Sequence, residues 1–516
     1  MFGADAPREL RFCLGGDPKT FDSLHVSDQN SEVIRYLTGG VLVRVDRAKD
    51  QPRPELAESW KIADGGRTIT FHLRAGLQFS DGTPLTAADV ARTFNTALDP
   101  KESSPAGDAF RSTGKVDVTV VSPRDLTIRY AEPKPDIDRL FDQLSIAPPK
   151  PGKLPASAGP FFVVEYKPGE FVRLARNPHY WKRDSAGKQL PYLDSIRIQV
   201  QPNRDIELTR FLRGETHLIL ARMNPENFDR AAKEKPAAAR NLGASLDSEF
   251  LWFNQAPSAT VPEWKRKWFT SAAFRHAISA SIQRDDLVRI VFRGHAHPGI
   301  GPYSPSNRFW FNASLKPLPF DPKGALASLA KEGFALRDGV LRDRDGHAVE
   351  FSIVTNSGNR AREAMAAVIQ DDLRKIGVRV NIATVDFPAL IERLNKTFDY
   401  EACLLGLVNV DADPMEQMNL WLSSGDQHSW WPRQKTPATP WEARIDQLEL
   451  QQASEPSRAL RKKAVDEVQR IAAEEEPILY LVNPDYLAAI SPAVRGVEPV
   501  TAPPQILWNV EWLRLE

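Results

Sequence analysis

The stretch that decides the fold is residues 348–408, AVEFSIVTNSGNRAREAMAAVIQDDLRKIGVRVNIATVDFPALIERLNKTFDYEACLLGLV. It opens with an apolar run and continues with a helical pattern that places Met365, Ile369 and Ile376 on one face. A second apolar run, VRVNIATV, a short helical run and a third apolar run then follow. Strand–helix–strand–helix–strand units have parallel strands joined by right-handed crossovers, so this stretch predicts an α/β fold.

Polar residues follow two of these strands, in TNSGNR and in LVNVDADP. Ligands of such sheets bind beyond the carboxyl ends of the strands. We therefore expect Asn356, Asn409 and Asp411 to line a binding crevice. Asp413, directly before Pro414, is interpreted as the more structural aspartate, since Asp-Pro sequences shape turns. The alternative is a saccharide hydrolase in which Asp411 or Asp413 is the acid of a carboxylate pair.

The bulk composition restricts the class of protein. The chain has 516 residues, which predicts two or three domains, and 42% of them are hydrophobic. Lys+Arg and Asp+Glu both number 67, so the formal net charge is zero. Nucleic acids and anionic membranes require a basic surface, so neither is expected as a partner. The two cysteines, Cys13 and Cys403, lie in apolar runs and are interpreted as buried thiols.

Sequence motifs for catalysis or cofactor binding are missing. The chain contains no GxxxxGK[ST], HExxH, GxSxG or GxGxxG pattern. His295 and His297 offer two imidazoles without a third ligand, which favours a surface turn over a metal site. The sequence therefore predicts neither an enzyme nor a bound cofactor or metal.

The first residues, MFGADAPREL, lack the basic and apolar regions of a signal peptide. Either the protein is cytosolic or a signal has been removed from a mature form. No apolar run reaches the roughly 18 residues that span a bilayer.

Local signals organise the amino-terminal half. The turn Asp64–Gly66 predicts a hairpin, and Thr86 with Asp89 predicts a capping box at the start of a helix. A Pro- and Gly-rich run at 145–160 is interpreted as a domain crossing. A helix is predicted over 270–292 from the spacing of its apolar residues.

Twelve tryptophans are many, and four lie in or near one polar segment. Tryptophan in such a segment is either core or a partly exposed aromatic surface in a crevice. We expect Trp421 and at least one of Trp430 and Trp431 to form an apolar wall of the binding site.

Several segments together resemble the family-5 extracellular solute-binding proteins, which are receptors of ABC importers for peptides, nickel and related solutes. The resemblance is carried by PELAESWKIADGGRTITFHLRAGLQFSDGTPLTAADV (54–90), AGPFFVVEYKPGEFVRLARNPHYW (158–181), LWFNQAP with AAFRHAISASIQRDDLV (272–288), and FDYEACLLGLVNVDADP. They follow the family's order along nearly the whole chain.

The resemblance implies a two-lobed periplasmic-binding-protein fold of type II, similar to cluster C, with an inserted α+β domain. The implied lobe one consists of 1–41, 158–251 and 482–516, and the inserted domain is 42–157. Lobe two is 252–481, with hinge crossings near Phe253 and Leu481.

The resemblance also implies function. We expect a monomeric, extracytoplasmic receptor that captures a peptide or similar polar solute by hinge closure and delivers it to ABC permease subunits. Peptide-binding members carry an amine-anchoring aspartate where this chain has Val410, so Asp411 or Asp28 would have to substitute. A receptor for a sugar or another non-peptide solute, and a receptor that reports to a sensor, stay open as alternatives.

The complete set of predicted ligand-binding residues combines both lobes. Lobe one contributes the loop before the helix at 30–38, and lobe two contributes strand ends and aromatic residues. The set is Asp28, Asn30, Asn356, Asn409, Asp411, Trp421, Trp430, Trp431 and Tyr480.

Overall fold

The computed structural model describes residues 8–111, 114–150, 152–409 and 412–516. The chain divides into two compact units. Unit 1 is Met1–Arg240, Ser454–Arg458 and Leu487–Glu516, and unit 2 is Asn241–Ala453 and Ala459–Tyr486. No helix in the described part of the chain is both long and apolar enough to cross a membrane.

Unit 1 contains most of the strands and five helices among the described residues. Its strands are β1 (Glu9–Leu14), β2 (Val43–Asp46), β3 (Gln51–Pro54), β4 (Ala57–Ala63), β5 (Thr68–Leu73), β6 (Val116–Val120), β7 (Asp125–Tyr130), β8 (Phe161–Lys167), β9 (Phe171–Arg176), β10 (Ser195–Val200), β11 (Leu218–Ile219), β21 (Val494–Arg495) and β22 (Arg514–Leu515). Strand β12 (Ala239–Ala244) begins in unit 1 and has its last four residues in unit 2. Its helices are α1 (Gln29–Thr38), α2 (Ala87–Leu98), α3 (Pro105–Arg111), α4 (Arg204–Leu212) and α5 (Pro225–Glu234).

Two sheets form the frame of unit 1. One has the order β11-β1-β10-β9-β8, in which β1 and β10 are parallel. The other is the antiparallel sheet β4-β5-β7-β6, which packs its apolar face on α2. Phe71, Phe94 and Phe141 form the centre of the apolar core between this sheet and α2. Alternate residues of β5, namely Ile69, Phe71 and Leu73, face this core, as the period of two predicts.

Unit 2 contains the βαβαβ stretch. Its strands are β13 (Ser248–Phe253), β14 (Ala296–Pro298), β15 (Ala335–Arg337), β16 (Val340–Arg342), β17 (Glu350–Asn356), β18 (Arg379–Val385), β19 (Ala402–Leu407) and β20 (Ile478–Ile490), whose last four residues belong to unit 1. Its helices are α6 (Glu263–Thr270), α7 (Ala272–Ala280), α8 (Arg284–Asp286), α9 (Pro322–Lys331), α10 (Arg360–Arg374), α11 (Phe387–Glu392), α12 (Met418–Trp421), α13 (Pro440–Ser454) and α14 (Arg458–Glu475).

The sheet of unit 2 has the order β18-β17-β19-β13-β20. Strand β17 is parallel to both β18 and β19, which confirms the predicted parallel unit. Helix α10 covers one face of the sheet with Met365, Ile369 and Leu373, because these residues recur at helical spacing. The parallel arrangement brings the carboxyl ends of β17, β18 and β19 to the same edge of the sheet.

Two local predictions are confirmed and one is wrong. Asp64–Gly66 joins β4 to β5, and Asp89 accepts a hydrogen bond from the backbone N–H of Thr86 at the start of α2. The helix predicted over 270–292 is broken instead, because α7 begins after its cap Ser271 and ends at Ala280. Beyond that end the backbone forms a turn, in which the N–H of Ser281 donates to the carbonyl of Ile278 and its Oγ donates to the carbonyl of Ala277.

The chain passes between the two compact units after Arg240, on either side of Ser454–Arg458, and after Tyr486. The predicted hinge crossings near Phe253 and Leu481 stay a prediction. The finer boundaries, including an inserted domain at 42–157, stay a prediction.

Candidate functional site

A charged cluster occupies the edge of unit 2 where β17 ends. Arg362, in the first turn of α10, donates to Glu249 of β13 through Nε (2.8 Å to Oε2) and Nη2 (3.3 Å to Oε1). Its Nη1 donates to Oδ1 of Asn356, the last residue of β17, at 2.9 Å. The side chains of the ion pair are only 12% and 11% exposed. The cluster therefore fixes Asn356 at the strand end.

Asn409 lies just beyond β19 and is buried. Its Nδ2 donates to the carbonyl of Leu246 at 2.8 Å, and its Oδ1 accepts from Nε2 of Gln417 at 3.2 Å. Gln417 in turn accepts at Oε1 from the indole N–H of Trp421, at 3.3 Å. The structure thus brings Asn409 and Trp421 together through Gln417, and it uses the polar atoms of Asn409 inside unit 2.

Asp413 forms a two-point ion pair. Arg461 donates to its Oδ1 through Nη2 at 2.7 Å and to its Oδ2 through Nη1 at 3.0 Å. The same guanidinium lies 4.9 Å from the ring centroid of Trp310 and also donates to Gln452. This bonding agrees with a structural role for Asp413. Asp411 and Val410 lie outside the described residues.

Glu449 of α13 ends the polar chain that begins at Asp413. Its Oε2 accepts from Nε2 of Gln452 at 3.1 Å. Burial raises the pKa of its carboxyl to about 7, and the charges of Asp446 and Asp413 act in the same direction. Burial therefore favours the protonated form of this carboxyl more than in an exposed glutamate.

The tryptophans of the segment 421–441 are mainly core. Trp421 and Trp430 are each 1% exposed and belong to an apolar cluster with Phe250, Leu420 and Ile445, whereas Trp431 is half-buried at its margin. This core placement removes two of the three rings from the surface in this structure. Their predicted role as a ligand wall stays a prediction.

A buried carboxylate organises that cluster. Glu442 accepts hydrogen bonds from the indole of Trp430 (2.9 Å), from Gln434 (2.9 Å) and from Thr439 (2.8 Å), and His428 lies 3.3 Å away. Burial acts to raise the pKa of Glu442, but these hydrogen bonds outweigh it and hold the pKa at about 2. Glu442 is therefore ionised in the core.

Tyr480 lies on β20 and is buried, with its ring 5.7 Å from that of Phe250. Its hydroxyl has no hydrogen-bond partner within the described parts of the chain. The residue lines a small pocket of unit 2 together with Arg284 and Glu476. A buried hydroxyl without a partner is uncommon, so Tyr480 keeps its place among the candidates.

Asp28 and Asn30 belong to unit 1, at the start of α1. Asp28 caps the helix, because its Oδ1 accepts from the backbone N–H groups of Asn30 and Ser31, both at 3.1 Å. Its Oδ2 is buried without a partner among the residues described. Burial acts to raise the pKa of Asp28, but hydrogen bonds from Ser31 and Asn30 hold it below its usual value. Oδ2 is therefore a buried carboxylate oxygen that the hydrogen bonds of the described chain do not engage.

One group of acidic and histidine residues could geometrically hold a metal. Asp343, Asp345 and His347 bring ligand atoms within 4.8 Å of one another, in the described part of the chain. Asp343 already accepts from the backbone N–H groups of Asp345 and His347 and from the indole of Trp268. These bonds are those of a tight turn, so the geometry does not require a metal.

Sequence reasoning missed the residues that hold the candidates in place. Glu249, Arg362, Gln417 and Arg461 were not predicted. Glu249 was the easiest of them to predict, since a single acid in the apolar run SEFLWF needs a cationic partner when the strand is buried. The partners themselves are distant in sequence, and only the fold brings them together.

A sheet with polar side chains beyond the carboxyl ends of its parallel strands is the arrangement of an α/β binding protein. The chain belongs to the bacterial extracellular solute-binding proteins, family 5, whose sequence profile matches residues 51–429. This family membership confirms the predicted resemblance and the predicted class of function.

Individual relatives match along most of their length. A probable ABC transporter-binding protein of Deinococcus radiodurans is 27% identical, over 91% of this chain and 86% of its own. The oligopeptide-binding protein AppA of Bacillus subtilis is 25% identical, over 96% of this chain and 90% of its own. The crystal structure of NikA from Brucella suis, in complex with Fe(III)-EDTA, has the same fold with a TM-score of 0.81, covering 98% of this chain and 100% of its own at 21% identity.

Proposed function

We propose that this protein is an extracytoplasmic receptor that captures a peptide and delivers it to the permease of an ABC importer. The observation that carries the proposal is the alignment with an oligopeptide-binding protein over 96% of this chain. The proposal includes a periplasmic or membrane-associated location and a monomeric receptor. Hinge closure on the ligand is an expectation from family membership.

The polar atoms left available in each unit are compatible with a peptide ligand. Oδ2 of Asp28 in unit 1 is buried and lacks a donor among the described residues, and an α-amino group that reached it would supply one. Nδ2 of Asn356 in unit 2 can donate one, as a peptide carbonyl would require. Asp411 stays part of the proposed binding set, in the role that Val410 cannot fill.

The proposal gives the aspartates of NVDADP no catalytic role, and the contacts of Asp413 support this for the second of them. A carboxylate with both oxygens engaged by one buried guanidinium offers neither oxygen unengaged to a substrate. Asp413 is held in that way by Arg461. The hydrolase alternative therefore loses one of its two candidate acids.

The test is isothermal titration calorimetry of the purified protein against di- to nonapeptides, nickel and iron chelates, and oligosaccharides. We expect a peptide to bind with Kd near micromolar, which corresponds to about −8 kcal/mol. The Asp411→Asn variant is expected to bind it more weakly by about 1.5–3 kcal/mol. Binding restricted to chelates or saccharides would contradict the peptide proposal, and turnover of a saccharide would contradict the receptor proposal.

A further inference from the structure

The amide of Asn356 has only one orientation that its surroundings allow. A guanidinium has five N–H donors and no acceptor, so the group that faces Nη1 of Arg362 at 2.9 Å must be the amide oxygen. The amide nitrogen therefore faces away from Arg362. Asn356 is half-buried, and its Nδ2 has no hydrogen-bond partner among the residues described.

Arg362 itself is held firmly. Glu249 neutralises its charge with two hydrogen bonds, and both side chains are largely buried. The planar fork of arginine can engage the carboxylate and the amide together, which a lysine ammonium cannot do in the same geometry. The direction of the Asn356 amide is thus set by two side chains, Arg362 of α10 and Glu249 of β13.

The neighbouring strand leaves space for this cluster. A Cβ atom on Gly406 of β19 would lie 2.6 Å from Oε2 of Glu249 and 2.7 Å from Nη2 of Arg362. Both distances are shorter than carbon–oxygen or carbon–nitrogen contacts allow. A side chain at 406 would therefore displace the ion pair, whereas the backbone conformation of the strand does not itself call for glycine.

From this geometry we infer that Asn356 is a specificity-determining donor, which Arg362 and Glu249 position to select a hydrogen-bond acceptor on the captured solute. The acceptor expected for a peptide is a backbone carbonyl or the terminal carboxylate. An ammonium group is rejected at this point, because it would meet an N–H donor instead of an acceptor. The inference rests on the proposed function and names the group that the site takes.

The direct test compares Asn356→Asp with Asn356→Ala, using the peptide that binds the unaltered protein most tightly in a di- to nonapeptide panel. Aspartate keeps an oxygen for Arg362 but replaces the outward donor with a second acceptor. We expect Asn356→Ala to lose about tenfold in affinity and Asn356→Asp to lose on the order of tenfold more. Asn381→Asp on β18 introduces the same charge elsewhere on the sheet and is expected to leave affinity unchanged.

The positioning role is tested by repeating the comparison in an Arg362→Lys background. Lysine keeps the charge beside Glu249 but releases the amide, so the difference between the Asp and Ala variants is expected to shrink. A purely structural role of Arg362 would lower stability and leave that difference intact. Thermal unfolding of each variant identifies any that do not fold. Gly406→Ala is the second variant, because its added methyl group displaces the Arg362–Glu249 pair while Asn356 stays unaltered. We expect it to lower the affinity for the peptide.

The outcomes separate the inference from the proposal beneath it. If no peptide binds the unaltered protein, the proposed function fails and this inference fails with it. If a peptide binds but Asn356→Asp matches or exceeds Asn356→Ala in affinity, only the inference is overturned. A gain in affinity on Asn356→Asp would mean that the solute presents a donor there.

Discussion

Arg461 holds Asp413 at two points, with Nη2 at 2.7 Å from Oδ1 and Nη1 at 3.0 Å from Oδ2, in the segment that follows β19. The arginine is fully buried, while the aspartate is partly exposed. The pair therefore joins the segment after β19 to helix α14 within unit 2.

Removal of one partner is expected to destabilise the protein. Asp413→Ala removes the two-point carboxylate partner of a buried guanidinium, which costs about 3 kcal/mol in the free energy of unfolding. Asp413→Asn retains one acceptor and should cost less. Urea denaturation followed by circular dichroism measures both. A loss below about 1 kcal/mol for Asp413→Ala would show that the pair is not structural.

Glu449 predicts a dependence of stability on pH. Because its folded-state pKa is raised to about 7 from an ordinary value of 4.5, the folded form binds its proton more readily than the unfolded form. Its contribution to stability is therefore full below about pH 4.5 and is lost as the pH rises through 7, by about 3 kcal/mol. Glu449→Gln stays neutral and should lack this loss.

The measurement is the free energy of unfolding of both proteins between pH 4 and pH 8.5. Other groups also titrate in this range, including His217, whose pKa burial lowers to about 4. They are the same in both proteins, so the difference between the two free energies isolates Glu449. A constant difference across the range would contradict the assignment.

Glu442 predicts the opposite dependence in a more acidic window. Its pKa is held at about 2, so its contribution to stability is present above about pH 4.5 and is lost as the pH falls towards 2. Glu442→Gln should be less stable than the unaltered protein at pH 6, and the gap should narrow by about 3 kcal/mol on acidification. Tryptophan fluorescence reports the transition, since Trp430 donates to this carboxylate. A gap that stays constant down to pH 2.5 would contradict the prediction.

Ligand closure predicts a change in solution scattering. Addition of a saturating peptide should lower the radius of gyration if the chain closes by hinge motion. The matched control is a peptide of the same length that calorimetry shows not to bind. Identical scattering with and without a confirmed ligand would contradict hinge closure.

Much of the fold could be predicted because it follows from local pattern. The period of two in β5, the helical stripe of α10 and the turn at Asp64–Gly66 depend on residues close in sequence. The parallel unit followed from the order of elements alone. The break after α7 could not be predicted, because the apolar spacing continues through 282 while the backbone turns at Ser281.

The site was predictable only in part. Asn356 and Asn409 could be placed because strand ends of a parallel sheet share one edge. Their partners, Arg362 and Gln417, depend on which side chains the folded chain brings together. Trp421 and Trp430 lie in a polar segment, where the sequence does not distinguish core from surface aromatic residues. The fold places both in the core, where their indole N–H groups donate to Gln417 and Glu442.

Native mass spectrometry of the protein purified without added ligand tests the central claim most directly. We expect a population that carries an additional non-covalent mass, which dissociates on activation and fragments as a peptide. A saccharide or a metal chelate as the retained solute would contradict the peptide assignment. Cleavage of that solute by the protein would contradict the receptor itself.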